Sequence, residues 1–229
     1  MISEREERGR LCILLRLGGH AKVVLDALGS RGVNVDGVVD RGFGQANFPR
    51  RGIKVLGNDN WLIAQDPGNF ILVNGIGSFL GESQRQFIYD RYKAAGFRFL
   101  SIVHRSTTIG SNVAFGEGGQ IMAGVVIQAD STFGNNTIVN TGATVDHDCE
   151  VGSNVHIAPG VNVSGNVVIE DDVLLGTGSS VIQGVTIGKC SIVTADTVVF
   201  QSVPPASKLI GAKARRTPIE NGATNEPMA

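Results

Sequence analysis

Every sixth residue from Ile109 onward is large and apolar. The series runs Ile109, Phe115, Ile121, Ile127, Phe133, Val139, Val145, Val151, Ile157, Val163, Ile169, Leu175, Val181, Ile187, Val193 and Val199. In a chain that is 42% apolar, agreement at all sixteen positions is far beyond chance. Four residues after each, the side chain is usually small or β-branched: Val113, Gly119, Val125, Ser131, Thr137, Ala143, Cys149, Val155, Val161 and Val167. A period of six matches neither an α-helix nor a simple strand. It matches a hexapeptide parallel β-helix, in which each hexad supplies a short strand and a turn and three strands close a triangular coil. The large residue then points inward and stacks on its equivalent 18 residues later. At three hexads per coil, sixteen hexads make a little over five coils. One coil cannot bury its own apolar face, so stability comes from stacking. Glycine supports this reading: 31 of 229 residues, against a usual share of about 7%. Many follow the large residue directly, as at Gly110, Gly116, Gly134, Gly152, Gly176 and Gly188. Spacing alone leaves the handedness of the coil open.

Residues 11–104 obey another rule, alternating strand-like and helix-like segments. Leu11–Leu17 is an apolar run, followed by Gly18-Gly19-His20 and a helical face of Val23, Val24, Ala27 and Leu28. Val33–Val39 reads as a second strand ending at Asp40, and Phe70–Val73 as a third, after the Arg41–Gly52 loop. Glu82–Ala95 carries a helical pattern with Gly96 as C-cap, and Phe97–Val103 reads as a final strand. This order implies a small parallel α/β sheet, with ligands beyond its C-terminal strand ends. Pro204-Pro205 ends the coils, Leu209-Ile210-Gly211 reads as a short cap, and the tail from Thr217 as disordered.

Composition excludes several classes of function. A net charge of −1 gives no field to attract nucleic acid or an anionic membrane. No run of about 18 apolar residues exists to span a bilayer. Residues 1–10, charged at Glu4, Arg5, Glu6, Glu7, Arg8 and Arg10, lack the apolar stretch of a signal peptide and read as a disordered N-terminus. Three cysteines without CxxC spacing argue against a disulfide framework; Cys12 and Cys190 read as structural. The expectation is a soluble cytoplasmic protein.

His147 and Asp148 carry the clearest chemistry. His147 lies two residues past Val145, on the outward part of a coil. Histidine suits proton transfer at neutral pH, and an adjacent carboxylate raises its basicity. The same placement also fits a solvated turn histidine. A metal site from His147, Cys149 and His156 fails because Cys149 occupies an inward position; no metal is expected. In the first half, Gly18-Gly19-His20 opens a helix whose free N–H groups can hold a phosphate, although a tight strand–helix turn needs the same glycines. Asp40 is placed to accept from ribose or base hydroxyls. Gly19 and His20 join it as expected substrate-binding residues, Gly77 and Ser78 complete the expected pocket rim with Arg85 a candidate partner, and His104 is read as positioning the domain junction.

The hexads resemble bacterial hexapeptide acyltransferases. Gly18-Gly19-His20-Ala21-Lys22-Val23-Val24, Val103-His104-Arg105-Ser106 and Asp146-His147-Asp148-Cys149 make roughly residues 11–215 similar to the sugar O-acyltransferases of the sialic-acid family, which include nucleotide-sugar N-acetyltransferases. The resemblance implies a Rossmann-like nucleotide-sugar-binding domain (11–104), a left-handed parallel β-helix (105–203) and a C-terminal cap and tail (204–229). It also implies a homotrimer, with acetyl-CoA held between neighbouring subunits. By the same resemblance His147 is the catalytic base and Asp148 its support. His156 contacts acetyl-CoA, Asn140 approaches the thioester, the Gly165 N–H faces the developing oxyanion, and Thr177 and Ala195 line the cofactor groove. The sequence departs from the family at Arg16, where glycine is usual, at Leu17, where Ala or Ser is usual, and at Lys213, where Pro is usual.

The implied reaction is acetyl-CoA-dependent N-acetylation of a UDP- or GDP-linked 4-amino-4,6-dideoxyhexose, the amine attacking directly while His147 takes its proton. O-acetylation of a sugar such as sialic acid is the alternative. A γ-carbonic-anhydrase-like metal enzyme would need three interface histidines, and His104 and His20 lie outside the hexads. A purely structural β-helix would leave the His-Asp pair and the α/β half without a role.

Overall fold

The computed structural model describes residues 9–42, 52–78 and 84–212. Expectations for residues 1–8, for the centre of the Arg41–Gly52 loop, for Glu82, for Lys213 and for the tail lie outside these residues.

The first half forms a five-stranded parallel sheet. Its strands are β1 (Leu11–Leu15), β2 (Gly37–Val39), β3 (Val55–Gly57), β4 (Phe70–Asn74) and β5 (Arg98–Phe99), in the order β3-β2-β1-β4-β5. β1 is central, with Ile13, Leu14 and Leu15 fully buried, which explains its unbroken apolar run. Leu14 packs on one side with Val24 and Leu28 of helix α1 (Gly19–Ser30). Ile13 and Leu15 pack on the other with Ile88 and Tyr92 of helix α3 (Gln84–Ala94). The end of α3 is a Schellman cap: Gly96 N–H donates to Lys93 O, Phe97 N–H to Tyr92 O, and Gly96 takes φ +87.

Two of the strand expectations need correcting, and two short elements are new. The second strand is only Gly37–Val39, because Val33 closes the end of α1 by donating to Leu28 O at 3.1 Å. β3 and the short helix α2 (Asp59–Ile63), capped by Asn58 Oδ1 accepting from Trp61 N–H, were too short to show a period. The expected strand Phe97–Val103 is two elements: Arg98–Phe99 closes the α/β sheet, and Ile102–Val103 is the first rung of the β-helix.

From Ile102 the chain winds through two-residue rungs on three parallel faces of seven, six and five strands. The first face carries Ile102–Val103, Gln120–Ile121, Ile138–Val139, His156–Ile157, Leu174–Leu175, Ile192–Val193 and Lys208–Leu209. The second begins at Thr108–Ile109 and the third at Ala114–Phe115. Partners lie 18 residues apart, as with Val126↔Thr144 and Val145↔Val163. Lys208–Leu209 pairs with Ile192–Val193, so the expected cap is one more rung. Inward residues such as Ile127, Val139, Ile157, Leu175 and Val193 are fully buried in one continuous core.

Two glycine-rich positions have different causes. A Cβ at Gly134 would stand 2.5 Å from Ser153 N in the coil below, so the close stack of coils itself demands glycine. Two residues further on, every sixth position from 112 to 196 takes a left-handed φ. It is Asn, Asp or Gly throughout, as at Asn112, Gly118 and Asp148, except at Cys190.

Replacing Ile157 with Ala should lower stability by about 2–5 kcal/mol, because the fixed stack above and below cannot collapse onto the cavity. A urea-denaturation midpoint unchanged from the parent would show that the coil does not depend on this stack.

Candidate active site

The three edges of the β-helix sort the expected residues into two groups. His147 and Gly165 follow successive rungs of the second face, Thr144–Val145 and Asn162–Val163, on the edge leading to the third face. Asn140, Thr177 and Ala195 follow rungs of the first face, on the edge leading to the second. His156 lies on the first face itself, under the α/β domain. The structure therefore brings His147 together with Asp148 and Gly165, and Asn140 together with His156. It does not bring the two sets to one edge.

His147 is exposed. Its Nδ1 lies 2.7 Å from Asp148 Oδ2, so Nδ1–H is donated to the carboxylate and Nε2 keeps a free lone pair. The hydrogen bond to Asp148 is the main cause that holds the His147 pKa above its ordinary 6.5. Asp148 is also the left-handed turn residue, at φ +56, so one residue fixes both the turn and the tautomer. Gly165 lies beneath the ring: a Cβ there would meet His147 Cε1 at 2.7 Å and Nε2 at 2.8 Å. Its expected part in oxyanion binding thus sits beside a plain steric one. Cys149 points into the core, fully buried, with Sγ 3.3 Å from Ser164 O, and cannot share a ligand with His147.

A second cluster forms where the α/β domain meets the first face. Arg85, fully buried, donates through Nη1 to Ile76 O (2.7 Å) and Gln120 Oε1 (3.2 Å), and through Nε to Asn136 O (3.2 Å). No carboxylate among the described residues pairs with it, and its Nη2 has no partner among them. Burial pulls the guanidinium down to about 9, still cationic at neutral pH. His20 Nε2 lies 2.8 Å from Gln120 Oε1, and Gly77 packs on the His20 side chain. Burial is the main reason His20 falls to about 4; the Gln120 hydrogen bond opposes the shift and Arg85 adds to it. His156 also falls to about 4, by burial first, then the charge of Arg85. Its Nε2 faces Asn140 Nδ2 at 3.4 Å, while its buried Nδ1 has no hydrogen-bond partner among the described residues. The Ser78 backbone stands near enough to oppose the His156 shift without completing such a bond.

The remaining candidates divide by role. Asp40 Oδ2 accepts from Leu17 N–H (3.0 Å) and Oδ1 from Gly42 N–H (2.8 Å), so the carboxylate braces the strand-end turns as well as bordering the crevice. Gly18 and Gly19 face open space at the start of α1. Arg85, expected as a candidate substrate partner, is enclosed, which makes it a support beneath the crevice. His104, with Nε2 3.8 Å from Asp26 Oδ2, lies at the contact between α1 and the first rungs. Thr177 and Ala195 are exposed along their edge.

Gln120 and Asn74 escaped notice in the sequence. Gln120 has a period-18 signal, because the outward first-face row Ile102, Gln120, Ile138, His156, Leu174, Ile192, Lys208 is apolar except at Gln120, His156 and the exposed terminal Lys208.

No family model and no curated protein matches the chain. Solved structures do. PerB from Caulobacter crescentus, in complex with CoA and GDP-perosamine, is 35% identical, with a TM-score of 0.77 over 86% of this chain and 92% of that one. The chain belongs to the hexapeptide-repeat sugar acetyltransferases. The acetyltransferase domain of PglB from Neisseria gonorrhoeae is 31% identical, with a TM-score of 0.76 over 87% of this chain and 95% of that one. WeeI from Acinetobacter baumannii shares the fold at 23% identity and a TM-score of 0.77, over 90% of this chain and 99% of that one. PerB, described as a GDP-perosamine N-acetyltransferase, has also been solved with one histidine replaced by alanine or asparagine.

Two outcomes are expected of this hexapeptide acetyltransferase. Gly165→Ala should displace the His147 ring and lower kcat by about tenfold or more at unchanged thermal stability; a wild-type kcat would show that the ring has room to spare. Only neutral His147 can accept a proton, so kcat/KM should fall as pH drops through a pKa above 6.5. Asp148→Asn keeps a residue that tolerates the left-handed turn, removes the charge, and should move that acid limb to lower pH. An unmoved limb would exclude His147 as the titrating base.

Proposed function

We propose that the chain transfers an acetyl group from acetyl-CoA to the amino group of a nucleotide-linked 4-amino-4,6-dideoxyhexose. The single observation that carries this is the exposed His147, with Nδ1–H given to Asp148 and Nε2 free. In the reaction the sugar amine attacks the thioester carbonyl, a C–N bond forms, the C–S bond breaks, and Nε2 takes the amine proton. That proton is then available to the departing CoA thiolate. Asp148 stabilises the imidazolium that forms. His20 and His156, with pKa values near 4, are too weakly basic for this step at neutral pH. PerB binds GDP-perosamine and CoA, and a PglB acetyltransferase-domain structure 28% identical to this chain holds acetyl coenzyme A; these supply the substrate classes, with GDP as the first nucleotide to try.

The α/β sheet, with its change of direction between β1 and β4, is read as the Rossmann-like nucleotide-sugar domain. The first turn of α1 takes a phosphate. The site is proposed to span two subunits of a homotrimer: the His147–Gly165 edge of one left-handed β-helix meets the Asn140–Thr177–Ala195 edge of the next, with acetyl-CoA between them. Exposed Ile182, Val198 and Phe200, clustered on and beside the second face, support such a contact. No described helix is long and apolar enough to cross a membrane, in keeping with a cytoplasmic setting for the reaction.

Thiol release from acetyl-CoA in the presence of GDP- and UDP-linked 4-amino sugars tests the reading directly. Release with an amino sugar and not with its hydroxyl analogue is expected, and His147→Ala should cut turnover by about 10²-fold or more while leaving acetyl-CoA binding nearly intact. Near-normal turnover in that variant would remove His147 as the base. Release driven equally by the hydroxyl analogue would replace N- with O-acetylation.

A further inference from the structure

The hydrogen bonds beneath the crevice fix the proton on His20. Gln120 is fully buried, and its Nε2 donates to the Asn74 carbonyl at 2.7 Å. Its Oε1 accepts from Arg85 Nη1 at 3.2 Å and lies 2.8 Å from His20 Nε2. Turning the amide over would set Nε2 against the guanidinium, donor to donor, and Oε1 against the Asn74 carbonyl, acceptor to acceptor. One orientation survives. An amide oxygen can only accept, so His20 Nε2 carries the proton and Nδ1 keeps the lone pair. Nδ1 has no partner among the described residues. It faces Gly77, where even a Cβ would stand 3.7 Å away, so no described side chain covers the nitrogen on that side.

We propose that Gln120 and Arg85 are positioning residues that lock His20 as a hydrogen-bond acceptor, and that His20 Nδ1 receives an O–H or N–H donor from the glycosyl part of the nucleotide-linked sugar. The inference rests on the function proposed above. It also divides the labour at the start of α1. Phosphate oxygens are acceptors and cannot use Nδ1, so they fall to the backbone N–H groups of Gly19 and its neighbours, and the imidazole reads the sugar beyond them. A residue that looks like part of a phosphate loop becomes a filter for donor-bearing sugars.

The proton is observable directly in the full-length protein labelled with 15N-histidine. Two-bond 1H–15N spectra at neutral pH should show His20 protonated at Nε2 and bare at Nδ1; a proton on Nδ1 overturns the proposal. Gln120→Met should turn the single tautomer into a mixture, an effect that a merely structural glutamine would not produce, and retention of one tautomer counts against the lock. In kinetics, His20→Ala should raise KM for the nucleotide sugar by about 3- to 10-fold, the worth of one neutral hydrogen bond, with KM for acetyl-CoA unchanged. His20→Asn, whose Oδ1 falls near the Nδ1 position, should recover most of that loss, and His20→Gln should not. Sugar analogues lacking one hydroxyl each then identify the donor, as the analogue whose KM no longer responds to His20→Ala. Equal KM values across the three variants overturn the proposal. If no nucleotide amino sugar is acetylated at all, the parent reading fails, while the tautomer measurement still decides by itself whether the lock exists.

Discussion

The structure depends on the vertical stack of inward side chains at an interval of 18 residues. Each fully buried Val or Ile gains about 1.5–3 kcal/mol over exposure, but only with a neighbour above and below. Once inward residues are in register, outward ones are too, so chemistry is laid out along edges. His147 can exist on its edge only because the residue one coil below is Gly165, whose missing Cβ is the space the imidazole occupies. On the adjacent edge Asn140, Thr177 and Ala195 form another ladder, and on the first face Gln120 and His156 meet the α/β domain. A packing rule has become the coordinate system of the site.

Within that system, histidines of identical intrinsic chemistry are driven apart by their surroundings. His147 stands in solvent against a carboxylate, which favours its imidazolium. His20, half-buried, and His156, buried, lie near a guanidinium that pairs with no carboxylate among the described residues, which disfavours theirs. Burying a cation with no carboxylate partner among the described residues carries a penalty of several kcal/mol. Here it is offset by carbonyl acceptors from Ile76 and Asn136 and the Gln120 amide, which join the two domains. The same arrangement that binds the domains together thus leaves one histidine basic and two neutral. Separation of pKa values between like groups is a common way to assign acid–base roles.

How much of this was legible follows from the length of each pattern. Sixteen hexads signal their fold because the period repeats. β3 and α2, at three and five residues, are shorter than any period and surface only once packed. Phe97–Val103 reads as one apolar strand because both cores want the same residue types; the chain changes partner between Phe99 and Ile102, and composition does not record it. His147 and Asp148 were readable because neighbours in sequence form the pair. Arg85 was readable as a candidate partner but not as a residue beneath the crevice, since its own partners come from three separate stretches of chain. Gln120 was visible in principle, as one of few polar breaks in a mostly apolar row, but only after the 18-residue register had assigned that row to a covered face.

Arg16 shows how a local departure can leave the site intact. It holds φ +74, a conformation that glycine adopts freely and that costs other residues roughly 1–2 kcal/mol. The strand end is nonetheless regular: Arg16 N–H donates to Val39 O at 2.9 Å, and Gly75 N–H to Leu15 O at 2.9 Å. The offset lies at the far end of the side chain, where the guanidinium grips both oxygens of Asp59 at 3.0 and 2.7 Å and Tyr92 adds a third donor at 2.7 Å. Burial alone would raise the Asp59 carboxyl, but these donors hold it below its usual value. The side chain is thereby drawn onto Asp59 and α3, and the backbone keeps the shape a glycine would give it. Leu17, the other departure, is buried, and its N–H is held by Asp40. Both departures therefore change the support of the strand end, while the Gly18-Gly19-His20 turn keeps its geometry, with Gly18 and Gly19 facing open space.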